Sequence, residues 1–422
     1  MKKYLFFALA VAGMLSSCSQ DDSVSSSPNV DNLSDLMPIQ LTVGTSAVTS
    51  STRGTGSVGD IETGNNVWAN QLINVYMLDK GTTTVAKFNG ADIFNNEVFV
   101  AQADVNATSA NNQVVAKTQD QSVDYYPSQG YFDFWGYRLD GAATAAPSVS
   151  ATQITIPFKI DGSQDVMVAK AVPTAADSAA LKLDGNGNPV DAATAALNVQ
   201  RAYSAFAARR NVQPSLDFKH MLTRMKFFVV AGNELATNDE AGNCVMIDSI
   251  KVMSKATGTL IAAYTGDEVL DQVVFDSEAP LDSLSLKQRV GNDNDNNLDQ
   301  ALVDLVPIPL TWNSAEDHGD TIRVGESLIV APADSYVLKL SVSQTKRINE
   351  DTSVEKLKNT YEVPLTTPSG AAFKRGYSYN ITMTVWGFEA IKITTTLQPW
   401  VEDNDADIKM FPEDYDPNTG SF

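Results

Sequence analysis

The sequence predicts an all-β fold made of two β-sandwich domains in tandem. Short stretches in which apolar and polar residues alternate recur along most of the chain, as they do in strands with one buried face. Loops rich in Gly, Asn, Ser and Ala separate these stretches, and little helical periodicity lies between them. The chain has 422 residues and an apolar content of 43%, which is enough for two sandwich-sized cores.

The first alternating stretch lies in residues 36–53. Ile39, Leu41 and Val43 alternate with polar or small residues, which predicts a strand with one buried face. Arg53 follows a run of small, uncharged residues that a trypsin-like protease could enter. Cleavage between Arg53 and Gly54 would release the strand and leave a groove flanked by unpaired strand edges, which are templates for another chain. The alternative is an ordinary first strand followed by a loop.

The first 17 residues have the organisation of a secretory signal. Lys2 and Lys3 precede an apolar run that is too short to span a membrane as a helix. Leu15-Ser16-Ser17-Cys18 then resembles a bacterial lipobox, which implies lipid on the Cys18 sulfur and removal of residues 1–17. Several acyl chains would anchor the protein stably in outer-membrane lipid. Residues 18–35 are predicted to be a polar tether, and the alternative is a plain signal peptide with an incidental cysteine.

Residues 54–210 are predicted to form the first domain and a linker. The strand at 131–137 has aromatic residues on both of its faces, so we expect both faces to be buried. Residues 191–210 are rich in alanine and are a candidate helix, with Asp191 as its cap. The strands are predicted at residues 72–78, 98–100, 131–137, 154–160 and 165–169.

Residues 211–400 are predicted to form the second domain. The apolar positions of its opening stretch change parity between Phe218 and Met225, so a bulge or break is expected there. The last two strands are joined by a short connection, which predicts a hairpin. Most of the tryptophans lie in or beside predicted strands, which favours core positions. The further strands are predicted at residues 246–252, 328–330, 336–342, 361–365, 379–385 and 391–397, and the tryptophans are Trp68, Trp135, Trp312, Trp386 and Trp400.

Residues 401–422 form an acidic tail with seven acidic residues between Glu402 and Asp416. Its short apolar patch consists of Ile408, Met410 and Phe411. We hypothesise that the tail refills the groove that the first strand leaves, with these three side chains as anchors. Prolines in the tail cannot donate to a strand ladder, which counts against this role. The alternative is a tail that takes no part in assembly.

Charge and cysteine content exclude several classes of function. A net charge of −21 excludes binding to nucleic acid or anionic lipid by charge. If Cys18 carries lipid, Cys244 has no partner, so a disulfide framework is excluded.

The sequence predicts no enzyme, cofactor or metal site. Of the two histidines, His220 lies in a probable strand and is interpreted as structural, and His318 lacks a second histidine or cysteine nearby for zinc. The loop that begins at Asp293 places oxygen ligands at calcium-loop spacing, with Asp304 at the twelfth position. However, Leu298 stands where such a loop needs glycine, and a polar surface loop explains the same residues.

Taken together, several segments resemble the fimbrillin family, the major fimbrial subunits of type V pili. The resemblance implies two transthyretin-like β-sandwich domains, export as a lipoprotein, cleavage by an Arg-specific protease, and polymerisation with other pilin subunits by strand exchange, which supports adhesion. The alternative is a surface lipoprotein that does not polymerise, either a pilus anchor or tip or a protein that binds glycans or host ligands. The segments that carry the resemblance are residues 15–18, Arg53, and residues 73–77, 125–137, 165–169, 216–225 and 376–400.

Overall fold

The structure is a computed structural model, and its fold is all-β, as the sequence predicts. No helix within the described residues is long and apolar enough to cross a membrane. The structure describes residues 36–44, 71–80, 94–101, 113–117, 123–237, 244–265, 271–289, 301–347, 354–388 and 390–399.

The first part of the described chain contains ten strands and three α-helices. The strands are β1 Thr42–Gly44, β2 Leu72–Asp79, β3 Asn95–Ala101, β4 Gln113–Lys117, β5 Phe132–Arg138, β6 Ser148–Val149, β7 Gln153–Lys159, β8 Met167–Lys170, β9 Ser215–Asp217 and β10 Lys219–His220. The helices are α1 Ala175–Ala180, α2 Ala192–Gln200 and α3 Ala205–Ala208.

Eight of these strands form one continuous sheet path in the order β10-β8-β5-β2-β3-β4-β1-β9. Only Phe218 separates β9 from β10, so the path begins and ends in the same stretch of chain. One piece of this stretch pairs with β1 and the other pairs with β8. The stretch therefore connects the two ends of the path.

The predicted single helix over residues 191–210 is wrong in its extent. Asp191 caps α2 as expected, because its side chain accepts hydrogen bonds from two backbone amides of the first turn. The helix ends at Gln200, and Ser204 caps the separate short helix α3. Tyr203, between the two helices, is buried with its ring against Phe134, at 5.8 Å between centroids. Because the Tyr203 side chain is buried in the core, the chain turns away from the axis of α2 before α3 begins.

The second part of the described chain contains fifteen strands and a short 3-10 helix, Glu234–Thr237. Its strands form a sheet of order β21-β11-β24-β25, a sheet of order β15-β12-β22-β23 with β18 beside β12, and two two-stranded sheets, β16–β17 and β19–β20. Strands β13 and β14 join β7 and β6 of the first part in the order β14-β13-β7-β6. The strands are β11 Thr223–Ala231, β12 Val245–Ser254, β13 Thr257–Tyr264, β14 Val273–Phe275, β15 Asp282–Ser285, β16 Lys287–Arg289, β17 Leu302–Asp304, β18 Ile308–Pro309, β19 Trp312–Asn313, β20 His318–Gly319, β21 Ile322–Val330, β22 Tyr336–Arg347, β23 Val354–Leu365, β24 Tyr377–Gly387 and β25 Ala390–Pro399.

Two sequence predictions for this part are confirmed. The final hairpin is formed by β24 and β25, which pair from Tyr377 opposite Pro399 to the turn. The predicted break falls at Met221 and Leu222, between β10 and β11. At this break the chain passes from the first hydrophobic core, which contains Phe218, to the second.

The described residues bury two hydrophobic cores, and β5 contributes to both. Phe134 belongs to the first core, whereas Trp135 and Tyr137 belong to the second, which confirms that this strand is filled on both faces. The second core also contains β7, which pairs with β13 from the far side of the predicted boundary near residue 210. The division into domains at 54–210 and 211–400 stays a prediction.

The prediction that the tryptophans are core residues is wrong for Trp386. Trp135 is buried and Trp312 is half-buried, but 41% of the Trp386 surface is exposed. Its ring covers Gly232, where a Cβ atom would lie 2.5 Å from ring atoms. Trp386 therefore packs flat on the backbone at a strand end rather than inside a core. Trp68 and Trp400 lie outside the described residues.

Candidate functional site: the groove around the first strand

The first strand is short, yet it lies inside the sheet path rather than at its end. β1 pairs antiparallel with β4, with Thr42 opposite Val114. On its other side it pairs parallel with β9, with Thr42 opposite Ser215 and Gly44 opposite Asp217. Removing β1 would leave two strand edges facing each other, each with backbone groups that require partners.

The residues before β1 continue the same extended path. The Ile39 amide donates to the Asp124 carbonyl oxygen at 2.8 Å, and the Tyr126 amide donates to the Met37 carbonyl oxygen at 2.9 Å. Further along, the Thr42 amide donates to the carbonyl oxygen of Pro214 at 3.2 Å. The segment from residue 37 to residue 44 is thus held by backbone hydrogen bonds on both sides.

Gln213 also binds the backbone of this segment. Its Nε2 donates to the Pro38 carbonyl oxygen at 3.0 Å, and its Oε1 accepts from the Gln40 amide at 3.2 Å. The same Oε1 accepts from the Tyr126 hydroxyl at 3.4 Å. Because both of these hydrogen bonds go to main-chain atoms of the segment, they do not depend on which side chains the strand carries.

The side chains of the segment alternate as the sequence predicts. Leu41 and Val43 are buried in the first core, at 3% and 0% exposed, whereas Gln40 is exposed. Met37 and Ile39 are half-buried and pack against the same core. Burying Leu41 and Val43 stabilises the fold by about 1.5–3 kcal/mol each.

Tyr126 forms part of the wall of this groove. Burial raises the pKa of its hydroxyl, and nearby Tyr203 raises it further. A tyrosine hydroxyl is protonated near neutral pH even without this shift, so it can donate to Gln213. The Tyr126 ring meets Phe134 edge to face, at 6.2 Å between centroids, so the groove wall continues directly into the first core.

Sequence reasoning identified the strand but not all of the groove. Residues 125–126 and 216–218 carry part of the family resemblance, and the structure places Tyr125, Tyr126, Leu216 and Asp217 beside the segment. Gln213 was missed, because a single glutamine in a loop carries no pattern that distinguishes it from any other polar residue.

The remaining predicted site residues lie outside the part of the chain that the structure describes. They stay predictions, because the described chain ends at Gly44 before its next segment and at Pro399 near the C-terminus. Those that lie outside the described residues are Cys18, Arg53, Gly54, Ile408, Met410, Phe411 and the loop that begins at Asp293.

The two histidines have different environments. His220 is buried, with its Nδ1 2.8 Å from Asp165 Oδ2, so it ties β10 to the chain before β8 as a hydrogen-bonded structural residue. His318 is exposed, and hydrogen bonds to the Gly319 carbonyl oxygen and the Glu316 carboxylate raise its pKa.

Metal-ligating side chains do not cluster in the part of the chain that the structure describes. No group of three or more His, Cys, Asp and Glu residues there has the geometry to hold a metal ion. Asp304, the twelfth position of the calcium-like spacing, lies in β17 opposite Lys287.

Comparison with known proteins identifies the family. Residues 58–400 match the model of the fimbrillin-like family. The chain belongs to the fimbrillin-like family. Membership makes it a fimbria-related surface protein. No significant match was found among curated proteins.

Solved structures that are described as cell adhesion or fimbrial proteins align with most of the chain. A candidate cell adhesion protein from Bacteroides uniformis is 13% identical, with a TM-score of 0.42, and the match covers 88% of this chain and 100% of that one. A candidate cell adhesion protein from Parabacteroides distasonis is 9% identical, with a TM-score of 0.38 and coverage of 87% and 98%. The fimbrial anchor protein Mfa2 from Porphyromonas gingivalis is 11% identical, with a TM-score of 0.30 and coverage of 86% and 99%.

Proposed function

We propose that this fimbrillin-like chain is a structural subunit of a surface fimbria that supports adhesion. It is exported as a lipoprotein anchored in the outer membrane through Cys18, cleaved after Arg53 by an Arg-specific protease, and polymerised with other subunits by strand exchange. One observation carries the proposal. β1 lies between two other strands and fills a core position, yet it precedes Arg53 in the chain.

A single cut after Arg53 would turn the first strand into a separate peptide. The contacts that remain include the ladder to β4 and β9, the backbone hydrogen bonds to residues 124 and 126, the bonds from Gln213 and the buried side chains of Leu41 and Val43. All of these are non-covalent, so the strand can be exchanged for another of similar pattern. The vacated groove then accepts a strand from a neighbouring subunit.

The incoming strand must supply apolar side chains at alternate positions and an extended backbone. Ile408 and Met410 are two residues apart, as are Leu41 and Val43, so both can point to the same face of a strand. Gln213 and the flanking strands bind main-chain atoms, which makes the groove tolerant of the remaining sequence. This spacing supports the tail at 401–422 as the donor.

Replacing the processing arginine tests the cleavage step. We expect Arg53→Ala to give subunits that fold and reach the surface but keep the first strand and form no fibres. Thr52→Ala, which leaves the arginine in place, is the matched control and should assemble normally. The N-terminus of the surface protein, measured by mass spectrometry, should be Gly54 in the control only. Normal fibres from Arg53→Ala would contradict the proposal.

Replacing the lipobox cysteine tests the export route. Cys18→Ala should abolish incorporation of a labelled fatty acid, whereas Cys244→Ala should retain it. Labelling of the Cys18→Ala protein would show that the lipid is attached elsewhere.

Removing the tail tests the donor. Subunits cleaved after Arg53 and truncated after Trp400 should stay folded by circular dichroism but form no ladder of multimers on a gel run without heating. A ladder as long as that of the full chain would place the donor strand in another segment.

A further inference from the structure

Trp386, at the end of β24, has one face of its indole ring against the protein and the other toward solvent. A Cβ atom on Gly232 would lie 2.5–2.6 Å from Cδ1, Nε1 and Cδ2 of this ring. These three atoms span the five-membered ring, so the ring lies face-on over Gly232. Because the inner face is covered, the 41% of the Trp386 surface that is exposed belongs mainly to the opposite face.

The chain around Trp386 holds the ring in this position. The ladder between β24 and β25 shifts register between Val385 and Gly387, so Trp386 is the extra residue of a β-bulge. A bulge redirects the side chain that it carries. The Asn233 side-chain amide donates to the Trp386 carbonyl oxygen at 2.9 Å, and the Gly232 amide donates to the Val385 carbonyl oxygen at 2.7 Å. The backbone beneath the ring and the backbone that carries it are therefore tied together.

A ring that is held in this way is a preorganised contact surface. Any side chain at position 232 would displace the indole, so the ring keeps its place only over a glycine. An aromatic side chain offers a large contact area, and one that is already fixed loses little conformational entropy on binding. This distinguishes Trp386 from an exposed side chain that moves freely.

The hairpin formed by β19 and β20 lies beside the ring. Within it, Gly319 packs so closely on the chain that a Cβ atom there would clash with the backbone of Ala231. Ala231 precedes Gly232, over which the indole lies. Since neighbouring Cα atoms are about 3.8 Å apart, Gly319 is within about 10 Å of the ring.

This hairpin is acidic and rich in hydrogen-bonding groups. Glu316, Asp317 and His318 are exposed, and His318 Nε2 lies 2.6 Å from a carboxylate oxygen of Glu316. Residues 312–320 contain three carboxylates, those of Glu316, Asp317 and Asp320, and no Lys or Arg. Carboxylate oxygens accept hydrogen bonds from hydroxyl groups, whereas on a chain of net charge −21 they repel anions.

We propose that Trp386 and the β19–β20 hairpin form a binding site for a neutral glycan. A sugar ring has a face of C–H groups that packs on an aromatic face, and hydroxyl groups at its edge that donate to carboxylates. An aliphatic chain would match the ring but offer nothing to the carboxylates. A sialylated or sulfated glycan would match the ring but be repelled by the hairpin.

The site gives the adhesion in the proposed function a class of ligand, and it rests on that function only for its strength. A single open aromatic surface binds a sugar weakly, with a Kd on the order of millimolar. A fibre that repeats the site along its length would raise the overall affinity by about 10²–10⁴ when several sites bind together.

Glycan arrays test the site on the full chain with Arg53→Ala, which does not polymerise in the proposed function. Fluorescent beads coated with this chain supply many copies, and the array carries neutral oligosaccharides beside their sialylated counterparts. At least one neutral glycan should bind more strongly than its sialylated form. Trp386→Ala should lower this binding at least about tenfold, and Trp386→Phe should lower it less. Val274→Ala, which is 50% exposed on β14, is the control and should leave it unchanged.

A second variant tests the hairpin independently of the ring. Glu316→Gln combined with Asp317→Asn alters only exposed side chains, so the fold should be retained by circular dichroism. Removing two negative charges should raise the binding of sialylated glycans relative to neutral ones by about threefold or more at low salt. An unchanged ratio would mean that the hairpin does not face the ligand, which overturns the proposal.

Three other results would also overturn it. These are the absence of binding to every neutral glycan, a preference of the unaltered chain for sialylated forms, and equal binding by a folded Trp386→Ala variant. Sedimentation of the same chain identifies the competing occupant, because a dimer that Trp386→Ala abolishes would place another copy on the ring instead of a glycan. None of these measurements depends on cleavage or on fibres, so failure of the proposed function is distinguished by the gel assay with truncated subunits.

Discussion

The strands that complete the two cores differ in how they are connected to their neighbouring strands. In the second core, β22 and β23 pair along their whole length, from Tyr336 opposite Leu365 to Arg347 opposite Val354. In the first core, β1 contributes three residues and its neighbours β4 and β9 are distant in the sequence. A strand in a hairpin stays attached by its turn, whereas a strand at the start of a chain becomes a separate peptide after one cut. The position of a strand in the chain therefore decides whether the sheet can lose it.

The largest difference is expected from matched leucine substitutions, beginning with the second core. Leu340 in β22 is fully buried, so Leu340→Ala should lower the free energy of unfolding by about 2–5 kcal/mol. Because β22 stays in the folded chain after cleavage at Arg53, the loss of unfolding free energy should be the same before and after cleavage. Urea unfolding of both forms measures this, and the exposed Val337→Ala is the control. A loss confined to the uncleaved form would contradict the comparison.

Leu41→Ala is the counterpart in the removable strand. It should cost about 2–3 kcal/mol in the uncleaved chain, because the side chain is 3% exposed within the first core. Once the cleaved peptide has dissociated, the substitution should have no effect on unfolding. Gln40→Ala, at an exposed position, serves as the control in the same experiment. An equal loss in both forms would mean that the first strand stays bound.

A smaller effect is expected from the groove residue that binds the strand backbone. Gln213→Leu removes the hydrogen bonds to Pro38 and Gln40, which should weaken the hold on the first strand by about 1–2 kcal/mol. After cleavage, the released peptide should dissociate roughly tenfold faster, as measured by a fluorescent label on it. The control is Lys219→Ala, at an exposed position on β10, which should leave the dissociation rate unchanged. An unchanged rate for Gln213→Leu would show that Gln213 does not help to hold the first strand.

The smallest effect concerns alkaline pH and applies to both cores. Burial raises the pKa of Tyr126 in the first core and of Tyr336 and Tyr379 in the second. In the unfolded chain these groups titrate near about pH 10. A raised folded pKa means that folding favours the protonated form, so stability is intact below pH ~10 and falls as the pH rises above it.

Half a unit above that pH, each tyrosine should cost below about 1 kcal/mol. Tyr126→Phe should remove the contribution of Tyr126 in the uncleaved chain and leave that of Tyr203, whose pKa burial also raises; urea unfolding against pH measures the difference. Tyr125→Phe, at an exposed position, is the control. Equal alkaline sensitivity in Tyr126→Phe and the unaltered chain would show that Tyr126 ionises freely.

Local pattern predicted a large part of the fold. Alternation identified the strand segments around Val43, Ile156 and Tyr379, because a strand with one buried face has an apolar side chain at every second residue. It also identified the first strand as half-buried, which is the central part of the candidate site. The same logic failed for β13, whose Ala, Gly and Thr residues give no clear alternation although most of the strand is buried.

By itself, the sequence determined the all-β class, the buried face of the first strand and the family, since each depends on residue types at short spacing. Only the tertiary structure decided that β1 lies between β4 and β9, that Gln213 binds its backbone, and that the exposed Trp386 ring lies over Gly232. These features depend on segments that are distant in the chain. No local pattern encodes them, because strand partners are chosen by how whole faces pack once the chain has folded.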